Sequence, residues 1–244
     1  MSFNLPTETI ELPSKGLLYP EGHPLSEGTI EIKYMTAKEE DILTNTNYIN
    51  DGTVLDKLLK SVIVTKINFD DLLIGDKNAI MIAARILGYG AEYKFKYNGK
   101  EETVDLSSLE NKPLDESLYQ KGKNEFEFTL PSSGNTLTFK LLTHGDERKV
   151  DQEVRSLKKF NSESSPELTT RLKYLITSIN GDRDVKIIRE FVDTAFLARD
   201  ARAFREYLNQ IQPDVDLTFF PSNGSEPATL PIGISFFWPD VKLR

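Results

Sequence analysis

The sequence predicts an α+β protein: antiparallel β-hairpins forming a small sheet, with helices segregated into two separate blocks. Apolar residues recur at helical spacing over residues 36–90 and again over 144–212. Strict alternation with tight-turn pairs occupies 91–143 and returns over 213–244. Five blocks follow. They are an extended arm and strand at 1–35, a helical subdomain at 36–90, a hairpin module at 91–143, a second helical subdomain at 144–212, and a C-terminal hairpin at 213–244 packing on the 91–143 module.

In the arm, Pro13, Gly16, Pro20, Gly22, Pro24 and Gly28 exclude a helix, so its apolar residues must rest on something else. Thr29–Tyr34 alternates and reads as a strand. Thr36 and Glu39 have capping-box spacing and start a short helix ending near Thr44. Asn45–Gly52 reads as a polar loop. Val54, Leu55, Leu58, Leu59, Val62 and Ile63 then form a wide apolar helical face, and a further helix runs from near Asp76 to a stop at Gly88.

Tyr93, Phe95 and Tyr97 alternate with charged residues before Asn98-Gly99, a tight-turn pair, and the chain returns over Glu102–Leu106. Phe126–Leu130 and Leu137–Leu141 make a second hairpin, and the four strands are expected in one antiparallel sheet. Thr143 caps a helix whose buried stripe is Val150, Val154, Leu157 and Phe160. Asn161–Pro166 reads as a mobile polar break. Leu168–Ile179 continues as helix to Asn180-Gly181, and helices at Asp184–Ala195 and Asp200–Ile211 follow, stopped by Pro213. The tail reads as strands over Asp214–Phe220 and Leu230–Trp238.

Two hundred and forty-four residues can bury roughly 70–75% of the surface of the unfolded chain. The formal net charge of −8 argues against a nucleic-acid partner. With no cysteine there is no disulfide, thiolate nucleophile or thiolate metal site. His23 and His144 are too few and too far apart in sequence for a histidine-rich metal site. No stretch approaches the ~18 apolar residues of a membrane span, and Met1–Gly16 lacks the features of a secretion signal. A cytoplasmic protein is expected, with no cofactor.

No phosphate-binding loop, dinucleotide fingerprint or nucleophile elbow is present. Asp70-Asp71 and Asp182/Asp184 lie at helix starts, where carboxylates stabilise free amides. His144 reads as a surface or cap-adjacent imidazole rather than a catalytic base. No catalytic residue is nominated.

Two features point to protein contacts. Arg183, Arg189, Arg199, Arg202 and Arg205 interleave with acids, which makes either a salt-bridged helical surface or a docking face; Arg199 and Arg202 are carried as candidate contacts. Phe236, Phe237 and Trp238 concentrate aromatic surface. On a strand Phe237 faces away from the other two, which means a strand buried on both sides or a contact with another chain. Leu17, Leu18 and Tyr19 of the arm are further candidates.

Phe95-x-x-Asn98-Gly99 and Phe220-x-x-Asn223-Gly224 have the length and glycine position of the Cys-x-x-Cys-Gly knuckles of zinc ribbons. Aromatic packing and turn propensity would replace the metal, and the two degenerate knuckles are expected to meet in one sheet.

The chain resembles the baseplate hub assembly proteins of T4-type contractile-tailed bacteriophages (the T4 baseplate protein family). The segments carrying the resemblance are Leu12–Pro20, Met35–Asp41, Asp105–Leu109, Asn180–Asp184, Leu197–Arg202, Pro213–Leu217 and Phe236–Pro239. Together they span nearly the whole chain. Some members carry Cys-x-x-Cys-Gly at both knuckles; this chain departs there, so zinc binding is not carried over.

The resemblance implies a non-enzymatic protein that builds the central hub of the baseplate in the host cytoplasm. Its partners would be hub or tail proteins. It would act either as an assembly factor or as a permanent subunit retained in the virion. An enzyme acting on peptidoglycan is a third reading, but no carboxylate pair at glycosidase spacing supports it.

Overall fold

The computed structural model describes residues 5–160, 166–224 and 226–237. Its architecture is α+β, with helices set apart from small antiparallel sheets. Strand β1 (Thr7–Glu11) pairs antiparallel with β2 (Thr29–Lys33), Ile10 opposite Ile30. The sequence reads only β2 as a strand. In β1 Ile10 is the single partly buried position, so no alternation announces it. Between them the arm folds back on itself: Leu12 N–H donates to the Gly28 carbonyl at 2.8 Å. Gly16, at φ +75°, lies so close to the Ser26 carbonyl that a Cβ would come within 2.4 Å of it.

Helix α1 (Ala37–Leu43) begins with the expected capping box: Thr36 caps it and Glu39 reaches back to the Thr36 amide. The expected loop after it holds a short helix, α2 (Thr46–Asn50). Asn45 caps it through its side-chain oxygen, a local signal that the polar composition hid. Helix α3 (Val54–Val62) buries Val54, Leu58, Leu59 and Val62. Helix α4 (Ile74–Tyr89) runs past Gly88, the expected stop, and ends at Gly90 at φ +85°. Gly88 serves packing instead: a Cβ there would meet the Met35 methyl at 2.8 Å.

Strands β3 (Glu92–Tyr97) and β4 (Lys100–Asp105) form the first hairpin, with Asn98 and Gly99 both at positive φ as a two-residue turn requires. The second hairpin, β5 (Phe126–Thr129) and β6 (Thr136–Phe139), belongs to a different sheet, so the single four-stranded sheet is corrected. Its third strand comes from beyond helix α5 (His144–Phe160) and helix α6 (Glu167–Leu175). This is β7 (Ile176–Ile179), where the sequence reads continued helix. Ile176 and Ile179 kept the helical spacing of Leu172 and Leu175. The run Ile-Thr-Ser-Ile is however mostly β-branched, and Ser178 Oγ hydrogen-bonds Thr138 Oγ1 across the strands at 2.7 Å.

In α5, Val150 and Val154 are buried but Leu157 is exposed, because every described side chain from Arg155 to Lys159 faces solvent. The side chain of Phe160 and the break at 161–165 lie outside the described residues. Helices α7 (Val185–Thr194) and α8 (Ala198–Ile211) follow, with Asp184 capping α7. The tail holds β8 (Thr218–Phe219) paired with β9 (Ala228–Thr229), then a 3-10 turn at Ile234–Phe237 where a strand is expected. A 3-10 turn explains why neighbouring Phe236 and Phe237 are both fully buried, which one face of a strand does not allow. All five sequence blocks feed one continuous core. The C-terminal segment packs on the β3–β4 hairpin, Phe219 lying edge-on to Phe95 at 5.1 Å and Phe236 edge-on to Tyr93 at 4.8 Å.

Candidate functional site

Most of the aromatic and aliphatic contact candidates prove to be core. Leu18 and Tyr19 are buried and Leu17 is half-buried. Tyr19 Oη donates to Asp76 Oδ2 at 2.7 Å and accepts from the Leu73 amide, while Ser14 donates its amide to Oδ1 and its hydroxyl to Oδ2. The arm is therefore a latch on the first turn of α4, not a docking surface. Burial drives the Asp76 pKa up, and the nearby Asp214 charge adds to it, against the pull of these donors.

Phe236 and Phe237 are likewise withdrawn from any partner, and Trp238 lies outside the described residues. Their turn is held by Arg85, whose guanidinium is buried and bonded to three carbonyls: Phe236 and Gly90 at 2.9 Å, Glu92 at 3.3 Å. Replacing Arg85 with methionine orphans three acceptors and should lower stability by about 2–4 kcal/mol, read as a shifted denaturant midpoint with an unchanged slope. Arg199 is exposed, as a contact residue requires, and Arg202 pairs with Glu206 at 2.9 Å.

The two knuckles are not equivalents. Phe95 is buried, whereas Phe220 is 78% exposed, because in β8 the preceding Phe219 takes the inward position. Nor do they share a sheet: β3–β4 and β8–β9 are separate ladders. Asn98-Gly99 closes its hairpin directly. The Asn223-Gly224 turn closes by the Gly224 amide reaching the Pro221 carbonyl. What joins them is Glu102, whose carboxylate accepts from the amide and hydroxyl of Ser222. Among the described residues no group of three or more His, Asp or Glu is placed to hold a metal ion.

The segments singled out in the sequence make structural ties, some local and several between distant parts of the chain. Leu12–Pro20 latches onto Asp76. Met35–Asp41 holds the capping box, and its Glu39 also receives Lys33 and Ser61. Asp105 wraps its carboxylate around Ser107 to seat Leu106 in the core. Asn180 bonds the Thr136 backbone through both its amide and its side-chain oxygen.

Asp200, on α8, accepts from the amides of Ser132 and Ser133 and so pins the β5–β6 turn; burial pushes its pKa up, but those donors outweigh it and leave it lowered. Asp214 receives Asn78 from α4. Asn111 bridges Val215. These segments are joints of the fold.

The open surface lies elsewhere. A cleft of about 800 Å³ opens between α3, α4 and α5. At its base Lys77 Nζ lies 3.0 Å from Asp56 Oδ1 and 3.1 Å from His144 Nδ1. An ammonium only donates, so Nδ1 accepts and the proton sits on Nε2, 3.0 Å from Asp56 Oδ2 though poorly aligned for a straight hydrogen bond.

His144 is thus the cap-adjacent imidazole that the sequence allows, but it is buried and not at the surface. It starts α5, where its amide reaches the Leu72 carbonyl, and its ring meets Phe69 edge-on at 4.6 Å. Burial raises the Asp56 pKa, but His144 and Lys77 outweigh it and hold the carboxyl at about 2. Glu39 is buried too, and its bonds from Ser61, Thr36 and Lys33 likewise hold it at about 2.

Both groups carry stability that is complete above their unfolded values, about 4. It is lost as pH falls from there towards 2. Urea midpoints measured across that window should fall steeply, and Asp56→Asn with Glu39→Gln should flatten the fall.

Six cations line the cleft (Lys57, Lys60, Lys77, Arg148, Arg155 and Arg171) against four carboxylates, Asp51, Asp56, Glu147 and Asp151. Sequence reasoning missed this cluster because its members come from α3, α4, α5 and α6, each inside an unremarkable helical charge pattern. An apolar pocket of about 270 Å³ between α6 and α8 adjoins it, sharing Ile74, Glu147 and Arg171. Among the described residues no helix is long and apolar enough to cross a membrane. In comparisons with known proteins, no family model, curated protein or solved structure matches this chain.

Proposed function

We propose that this chain is a non-catalytic assembly factor for the baseplate hub of a contractile-tailed phage, acting in the host cytoplasm by holding a hub subunit through surface complementarity. The observation that carries this reading is the placement of the resembling segments. Spread from Leu12 to Phe237, they include ties that join distant parts of the chain into one core, which supports reading them as a connected set and not as scattered surface residues.

The chemistry at hand is consistent with a binding role. His144, the one buried imidazole, has its Nδ1 occupied by Lys77 and its ring packed against Phe69, as a structural residue would. Assembly requires only that a partner's competent state is bound better than its alternatives.

Quantitative mass spectrometry of purified assembly intermediates and of mature particles tests the reading. The expected result is stoichiometric chain in hub intermediates and its loss from the finished tail. Stoichiometric retention would assign the permanent-subunit role instead, and absence from both would overturn the proposal.

A further inference from the structure

The cleft and the apolar pocket form one groove. They meet at Ile74 and at the Arg171–Glu147 ion pair, so a bound segment could run from the charged half into the apolar half without leaving the surface. The charged half has a small positive surplus, six cations against Asp51, Asp56, Glu147 and Asp151 with Asp70 paired to Arg148, in a chain whose formal net charge is −8.

Part of that charge is already used: Lys77 by Asp56, Arg148 by Asp70, Arg171 by Glu147. Lys57, Lys60 and Arg155 are exposed on the rim, and none has a carboxylate partner among the described residues. Lys57 and Lys60 stand over the rings of Tyr48 and Phe69 instead. The apolar half is walled by Leu141, Leu142, Leu172, Leu175 and Leu208, with Leu168 43% exposed. Its volume suits one or two large aliphatic side chains.

We propose that this groove binds an acidic segment of a partner protein, seating one large apolar side chain between α6 and α8 while its carboxylates lie against Lys57, Lys60 and Arg155. Charge complementarity selects the acidic partner, and the adjoining apolar pocket selects a peptide over a bare anion. A nucleic acid is disfavoured because, among the described residues, the one aromatic ring lining either half is the His144 imidazole, which is buried and packed edge-on against Phe69 and so offers no open face to stack a base. The inference rests on the assembly-factor reading, since it requires a protein partner, and adds where that partner sits and what it carries.

Selection of a random dodecapeptide library, displayed on yeast, against the purified full chain tests it. Enriched peptides should hold a surplus of Asp and Glu around one Leu, Ile, Met or Phe. Their affinity should fall several-fold between about 50 and about 200 mM salt. Lys57→Glu with Arg155→Glu, both at exposed positions, should weaken binding at least tenfold, and Leu168→Asp about fivefold, with circular dichroism unchanged.

No enrichment, peptides without an acidic surplus, or undiminished binding by the double variant would overturn the inference. So would displacement of the peptides by a single-stranded oligonucleotide, which would assign the groove to nucleic acid. If hub complexes form while the selection fails, the groove assignment alone falls.

Discussion

Gly75→Ala should destabilise the protein by roughly 3 kcal/mol or more, while Gly88→Ala in the same helix should change stability by less than about 1 kcal/mol. At Gly75 a Cβ would fall 1.8 Å from the Pro213 carbonyl oxygen and 2.9 Å from the Asp214 Cα. Both neighbours are backbone, and neither is free to retreat. Asp214 is held by Asn78 on one side and by the Lys112 amide on the other, and Asp216 N–H is bonded to the Glu110 carbonyl.

At Gly88 the obstacle is the flexible end of Met35, and alanine's better helix propensity offsets the adjustment. Guanidinium unfolding of the two variants side by side separates backbone overlap from a general intolerance of α4 to substitution.

Asp76→Ala should lower stability by about 3–5 kcal/mol, because it strips the acceptor from the Ser14 amide, the Ser14 hydroxyl and the Tyr19 hydroxyl in one step, all of them buried. Asp76→Asn should be far milder. Its oxygen can keep the Ser14 amide, and the two hydroxyls can turn to accept from its nitrogen.

The pair also has a pH signature. The folded pKa of Asp76 lies above its unfolded value, so the stability this group contributes is complete below about pH 4 and is lost as pH rises through the elevated folded pKa. This runs opposite to Asp56 and Glu39, whose contribution fails only as pH falls towards 2. The difference in unfolding midpoint between wild type and Asp76→Asn should therefore change with pH above 4. A flat difference would mean that Asp76 does not titrate as an isolated buried carboxyl.

What the sequence disclosed was local. Thr36 with Glu39, Asn98 with Gly99, and Asp184 before α7 each act within four residues, so their chemistry is visible in the order of the residues alone. Failures came where a distant partner decides. Ile176–Ile179 becomes a strand because β6 offers its edge, and Phe236-Phe237 curls into a 3-10 turn because Arg85, about 150 residues away, collects its carbonyl. Leu18 and Tyr19 have the composition of a contact surface and differ from one only in having Asp76 beneath them. The groove was illegible for the same reason, since Lys57, Lys77, Arg148 and Arg171 become neighbours only after α3, α4, α5 and α6 pack.

Surface recognition without chemistry is the claim on which the functional account stands, and co-expression with each hub subunit of a contractile tail, followed by native mass spectrometry, tests it most directly. A complex of defined stoichiometry with one subunit, disrupted by Lys57→Glu with Arg155→Glu, is the outcome expected. A chain that stays free of every hub subunit would contradict it.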